Sequence, residues 1–245
     1  MTLTSILFTS KNCWTTDADD MYTRMVETLA LAIDASDSET HDHVRRVQHY
    51  AELIGQRLEL PASEQKALSA AALLHDIGKL AVPDCILRKP GLLTAEEFEK
   101  VKLHPVIGAE ILDKIEFPYP VVPIVLAHHE KWDGSGYPYG LRGAEIPMGA
   151  RIIAVVDCLD ALTSDRPYRP AKSFDEAMSI ISGEANRSFD SEVVAVLQEC
   201  CQEMKLSAPP DRGSRLSKNL RIRRGVPGAG LDVGDPQMSL VRVED

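Results

Sequence analysis

Apolar positions along this chain recur at three- and four-residue intervals, the spacing of a helix face rather than the alternation of a strand. Met21, Met25, Leu29 and Ile33 mark a first helix that begins near Asp19. Val44, Val47, Tyr50, Leu53, Ile54 and Leu58 mark a second, ending before Pro61. The run SEQKALSAAALLHDIGKL predicts an Ala/Leu-rich helix that continues to about Gly78. After the turn KPGLL, Thr94 and Glu97 have capping-box spacing. Pro105 opens the helix HPVIGAEILDKI, at a position where a missing N–H costs nothing. Pro118, Pro120 and Pro123 punctuate the chain before IVLAHHE, and another helix fits MGARIIAVVDCLDALTSD. Ser173 and Glu176 form a second capping box, and Asp190 caps SEVVAVLQECC. No segment sustains strict alternation. The expected fold class is therefore all-α, with a leader over residues 1–18, a helical domain over 19–205 and a disordered tail over 206–245.

Composition narrows the function. The 245 residues suffice for one large core, and 44% are hydrophobic but only 5% aromatic, so that core is aliphatic. A net charge of -10 argues against nucleic-acid binding and requires local cations wherever an anion is held. Five cysteines, none in CxxC spacing, read as reduced thiols of a cytoplasmic protein rather than a disulfide frame or a thiolate metal site. No apolar run reaches membrane-spanning length, so no membrane partner is expected. Residues 212–224 hold six Lys or Arg, which reads as a solvated basic tail.

Candidate chemistry comes from polar residues inside apolar helices. His75 and Asp76 follow four apolar residues, and Asp157 sits among Ile, Val, Cys and Leu. A buried carboxylate without a partner costs several kcal/mol, of the order of ion desolvation, so each needs a cation or a proton. Asp160, one turn further on, is assigned a structural role. Lys79, read as lying on the helix face of His75 and Asp76, could contact a phosphate. His104 precedes Pro105, His128 and His129 follow IVLA, and Glu39 and His43 stand four apart on one helix face. Taken singly, each has a bland reading: a capped helix, a backbone-bonded imidazole, a solvated acid. Together, five of the seven histidines with Glu39, Asp76 and Asp157 favour a metal site. Imidazole and carboxylate ligands without thiolates suit iron, manganese or zinc. Eight ligands exceed one ion's needs. Two ions about 3.5–4 Å apart, bridged by Asp76 with a hydroxide as nucleophile, would suit phosphoester hydrolysis. Arg166 and Arg169 offer planar forks for phosphate, against a bland reading as surface ion pairs with Asp165.

In order and spacing, HDIGK, HP, HHEKWDGSGYP and VVDCLDALTSDRPYR resemble the HD-GYP family of bacterial cyclic di-GMP phosphodiesterases, a branch of the HD-domain phosphohydrolases. The resemblance covers about residues 20–200. It implies an HD-type helical bundle with a buried multinuclear metal site, holding two or three divalent ions, iron or manganese. It implies metal ligands at His75, Asp76, His104, His128, His129 and Asp157, with Glu39 and His43 supporting a third ion. Lys79, Arg166 and Arg169 match phosphate-contacting positions, and Asp76 and Lys79 the catalytic ones. The DGSGYP loop would wall the cavity. Gly134 and Gly136 would there adopt backbone geometry closed to other residues, and Gly136, Tyr137 and Pro138 would face the substrate. His41 stands where many members carry glycine. The implied reaction opens cyclic di-GMP to pGpG, and to GMP if a third ion is held. The alternative is a weakly active or inactive module that binds a cyclic dinucleotide or docks a diguanylate cyclase or other signalling partner.

Overall fold

The computed structural model describes residues 21–30, 41–89, 91–165 and 170–207. Its helices are α1 (21–30), α2 (His41–Arg57), α3 (Ala62–Leu74), α4 (Asp84–Leu87) and α5 (Ala95–Val101). They continue with α6 (His104–Asp113), α7 (Val121–Ala127), α8 (Met148–Thr163), α9 (Phe174–Gly183) and α10 (Ser191–Ser207). Short 3-10 turns lie at Ile77–Ala81 and Gly143–Glu145. No strand occurs among the described residues; Ala185 and Phe189 make one isolated bridge. The leader, the 208–245 part of the tail, Glu39, Arg166 and Arg169 lie outside the described residues. Helix α10 runs two residues past the expected domain boundary.

Helix α8 is the axis of the core. All of it is buried except Met148, Arg151 and Thr163, as expected of a helix apolar on every side. Helices α2, α3, α7, α9 and α10 pack against it, and α6 packs on α7 and on the 3-10 turn after α3. Leu68, Leu74, Ile152, Ile153, Leu159, Ile181 and Leu197 are among the largest side chains fully out of water. Both capping boxes form: Thr94 accepts from the Glu97 amide, and Ser173 from the Glu176 amide. The Asp190 carboxylate accepts the Glu192 amide at the start of α10.

Two sequence expectations require correction. The strict four-residue stripe of α1 faces the core only in part: Leu29 packs on it. Met21 is exposed, while Val26 and Ala30 are buried, because steps of four drift about 40° per turn from a 3.6-residue period. Helix α3 ends at Leu74, not near Gly78. His75 is its C-cap, Asp76 leaves helical geometry, and Lys79 sits on the following 3-10 turn. Ending there leaves the carbonyls of a buried last turn without helical donors, and the His75 ring supplies one, to Ala72.

Candidate metal centre

Three histidines reach the centre through one local device. The His75 Nδ1 bonds the Ala72 carbonyl at 3.0 Å, His104 Nδ1 the Val101 carbonyl at 2.7 Å, and His128 Nδ1 the Val125 carbonyl at 2.6 Å. In each the ring reaches back three residues to a carbonyl in the last turn of a helix: α3, α5 and α7. A carbonyl only accepts, so Nδ1 carries the proton and Nε2 presents a lone pair inward. His43, on α2, reaches the same tautomer through Asp160 Oδ2 on α8, at 2.7 Å. Arg46 Nε and Nη2 and Ser164 Oγ also bond the Asp160 carboxylate.

These lone pairs converge on acids and on each other. Asp76, His104, His128 and His129 form one group, and His43, His75 and Asp157 another. Within each group the offered atoms lie within 4.8 Å of one another, and every member is buried. Asp76 stands between the two: Oδ2 is 3.4 Å from His75 Nε2 and Oδ1 is 3.4 Å from His104 Nε2. His43 Nε2 is 3.4 Å, and His75 Nε2 4.0 Å, from Asp157 Oδ1.

The group that fits here is a cation. His43 Nε2, His75 Nε2, Asp76 Oδ1, His129 Nδ1 and Asp157 Oδ1 are buried without any hydrogen-bond partner. His104 Nε2 and His128 Nε2 face each other at 3.2 Å although both are acceptors. Buried acceptors crowded together without donors are costly, and a positive charge among them is the remedy. The electrostatics agree. Burial, the neighbouring Lys79 and the His75 ring push His104 down to about 4, against the pull of Asp76. Burial and adjacent imidazoles push His128 and His129 well below the ordinary histidine range. Burial would lower His75 too, but Asp76 and then Asp157 raise it to about 9, the mark of a site that favours positive charge. Burial would raise Asp76, yet Lys79, His75 and His104 hold it well below the carboxylate range. Lys79 Nζ is 2.7 Å from Asp76 Oδ2 at the partly open edge of the site.

The loop after His129 is a built wall. Gly134 has φ +82, the left-handed backbone expected of it. Gly136 is required for a different reason than expected: a Cβ there would lie 2.3 Å from the Lys131 nitrogen and 2.5 Å from the Glu130 Cα. Tyr137 stacks on the His129 ring, centroids 4.9 Å apart at 26°, and its amide donates to the His129 carbonyl. Burial, then Asp76 and Asp157, raise the Tyr137 phenol above its usual range. Pro138 follows through a cis peptide bond and is half-buried. Glu130 is the residue that motif reading passed over. It is buried, and its two oxygens accept the Tyr139 and Leu141 amides at 2.7 and 3.1 Å, closing the loop on itself. An acid directly after two site histidines was the available signal. Asp160 was assigned to structure without the partner, His43, that explains it.

The HD domain family profile matches residues 27–193. A Xanthomonas campestris protein named cyclic di-GMP phosphodiesterase response regulator RpfG is 42% identical over 192 residues, covering 74% of this chain and 51% of that protein. A Thermotoga maritima protein named cyclic di-GMP phosphodiesterase is 37% identical over 220 residues, covering 89% of this chain and 60% of that one. The chain thus spans about half to three fifths of the length of these curated relatives. A solved cyclic GMP-AMP-specific phosphodiesterase from Vibrio cholerae superposes with a TM-score of 0.61 at 20% identity, over 80% of this chain and 53% of that one, a likeness of fold. With the HD and GYP segments meeting at one buried cluster of imidazoles and carboxylates, the chain belongs to the HD domain family, in its HD-GYP branch.

Proposed function

We propose that this chain hydrolyses the phosphodiester bonds of a cyclic dinucleotide, cyclic di-GMP first among them, using divalent ions held at the two groups. One observation carries the reading: the two oxygens of Asp76 face the two groups separately, as a bridging carboxylate must. Metal ions bound there supply the Lewis acidity that phosphoester hydrolysis needs. The donor set, nitrogen and oxygen without sulfur, suits iron, manganese or zinc, and the HD-GYP resemblance favours the first two. His75, Asp76 and Asp157 would serve one ion, and Asp76, His104, His128 and His129 the other. With Nδ1 held by Asp160, His43 has only Nε2 to give, and would either join the first ion or hold a third with Glu39.

The chain's own groups would handle the substrate. Lys79 beside Asp76 would offer its ammonium to a non-bridging phosphate oxygen, with Arg166 and Arg169 as further phosphate contacts. Tyr137, backed by His129, and its neighbours Gly136 and Pro138 would form the wall that holds the nucleotide and limits water. In the reaction a water oxygen bonds to phosphorus, the bond from phosphorus to the sugar 3′-oxygen breaks, and that oxygen takes a proton. The product is linear pGpG, and a second cut gives GMP.

The names of the relatives support cyclic di-GMP, and that of the solved neighbour supports the mixed guanine–adenine ring as the competing substrate. A second reading draws on Tyr139, 65% exposed on the same loop: the loop docks a diguanylate cyclase or other signalling protein, and turnover is slow or absent. Protein loaded with iron or manganese, incubated with cyclic di-GMP, cyclic GMP–AMP and nucleoside triphosphates, separates these readings. Release of pGpG supports hydrolysis. A loaded centre that leaves every cyclic dinucleotide intact overturns it in favour of docking.

A further inference from the structure

A cyclic dinucleotide carries two phosphodiesters, one on each side of its ring, and only one can sit at the metals at a time. The other lies a nucleoside's breadth away and remains charged. In a chain of net charge -10 it needs a cation of its own. Lys79, beside Asp76, is assigned to the phosphate at the metals. Among the described residues, a further ammonium flanks the Tyr137 ring of the same wall. Lys102, between α5 and α6, holds its Nζ 5.9 Å from the Tyr137 ring centroid and 5.4 Å from that of Phe98. Phe98 meets Tyr137 edge-on at 6.5 Å, and the other neighbour of Tyr137 is the His129 ring at 4.9 Å. Lys102 is therefore one ring away from a residue of the candidate centre, on the outer side.

Resting on the phosphodiesterase reading, we propose that Lys102 binds the non-reacting phosphate of the cyclic dinucleotide, with Phe98 and Tyr137 as the apolar shelf beneath it. Its present partner does not compete strongly. Glu99 lies 2.5 Å away, but its side chain is 68% exposed, and exposed pairs of this kind hold weakly. The Lys102 side chain is 27% exposed, open enough to turn and sheltered enough for a charged hydrogen bond to count. Lys102 touches none of the candidate ligands, so its removal leaves the centre intact. It selects for substrates with a second phosphate rather than for the reaction itself.

The test compares a substrate having two phosphodiesters with one having a single ester. Lys102→Ala should raise KM for cyclic di-GMP about tenfold or more and leave kcat in place. The kinetics of bis(p-nitrophenyl) phosphate, which has no second phosphate, should not change. Lys102→Arg should recover most of the loss. An equilibrium measurement stands beside turnover: Lys102→Ala should weaken binding of pGpG, which carries two phosphates, and spare GMP, which carries one. A cyclic di-GMP KM within twofold of wild type, or an equal loss on both esters, overturns the inference alone. Wild-type protein that cleaves the small ester but neither cleaves nor binds cyclic dinucleotides overturns the substrate reading, and the role of Lys102 with it.

Discussion

Asp76 is the residue on which both halves of the centre depend. Its replacement by alanine should abolish metal retention and turnover together, checked by elemental analysis and product chromatography on protein that keeps its helical circular dichroism. Arg166→Ala should lower substrate use while the ion count stays at the wild-type value. Asp160 makes a subtler case. Burial would raise its carboxyl, but the His43 bond and then Arg46 hold it at about 2, below the reference of 3.8. A depressed acid contributes stability above its unfolded pKa and loses it as pH falls towards the folded one. That increment, about 2 kcal/mol, should be present above pH ~4 and fade towards pH ~2. In metal-free protein the stability gap between wild type and Asp160→Asn should narrow over that window in urea unfolding. A gap that stays constant from pH 5 to 2 would show that the Asp160 charge does not contribute.

At the scale of elements, local signals were legible and tertiary ones were not. Thr94 with Glu97, Ser173 with Glu176, Pro105 and Asp190 act within one turn of chain, so the residues themselves announce the helix starts. The end of α3 was misread because Ile77 and Leu80 keep helical spacing behind Leu73 past the point where the helix stops. The motifs named the residues that meet at the site. They did not show that His43 Nδ1 is held from α8 by Asp160, since a partner 117 positions away leaves no spacing to read. Gly78 illustrates the same point. A Cβ there would lie 1.9 Å from the His104 carbonyl oxygen, so the turn after α3 touches the first residue of α6. Gly78→Ala should cost about 1–3 kcal/mol by overpacking, and should weaken metal binding as well by parting Asp76 from His104. Calorimetry of folding and a metal titration check the two effects separately. Stability loss with unchanged metal affinity would confine Gly78 to packing.

Across the whole molecule, the candidate ligands come from α2, the end of α3, the start of α6, the end of α7 and the middle of α8. An ion bound there links elements from residue 43 to residue 157. Such an ion stabilises the folded state by mass action, about 2.7 kcal/mol at a hundred times its dissociation constant. For a chain of this size that corresponds to a rise in Tm of roughly 5–10 °C. Chelation should reverse the shift, and acidification should release the ions as the imidazoles take up protons. A thermal scan unmoved by manganese, iron or chelator would contradict a shared centre.

The back-bonds of His75, His104 and His128 have one more consequence. Each ring is aimed by a carbonyl three residues earlier, so every such tetrapeptide behaves as a self-contained cassette whose bearing does not depend on the length of the connectors. Extra residues in the 114–120 link should leave the compass heading of His128 intact. One residue inserted between Val125 and His128 would swing the imidazole about 100° into the aliphatic wall.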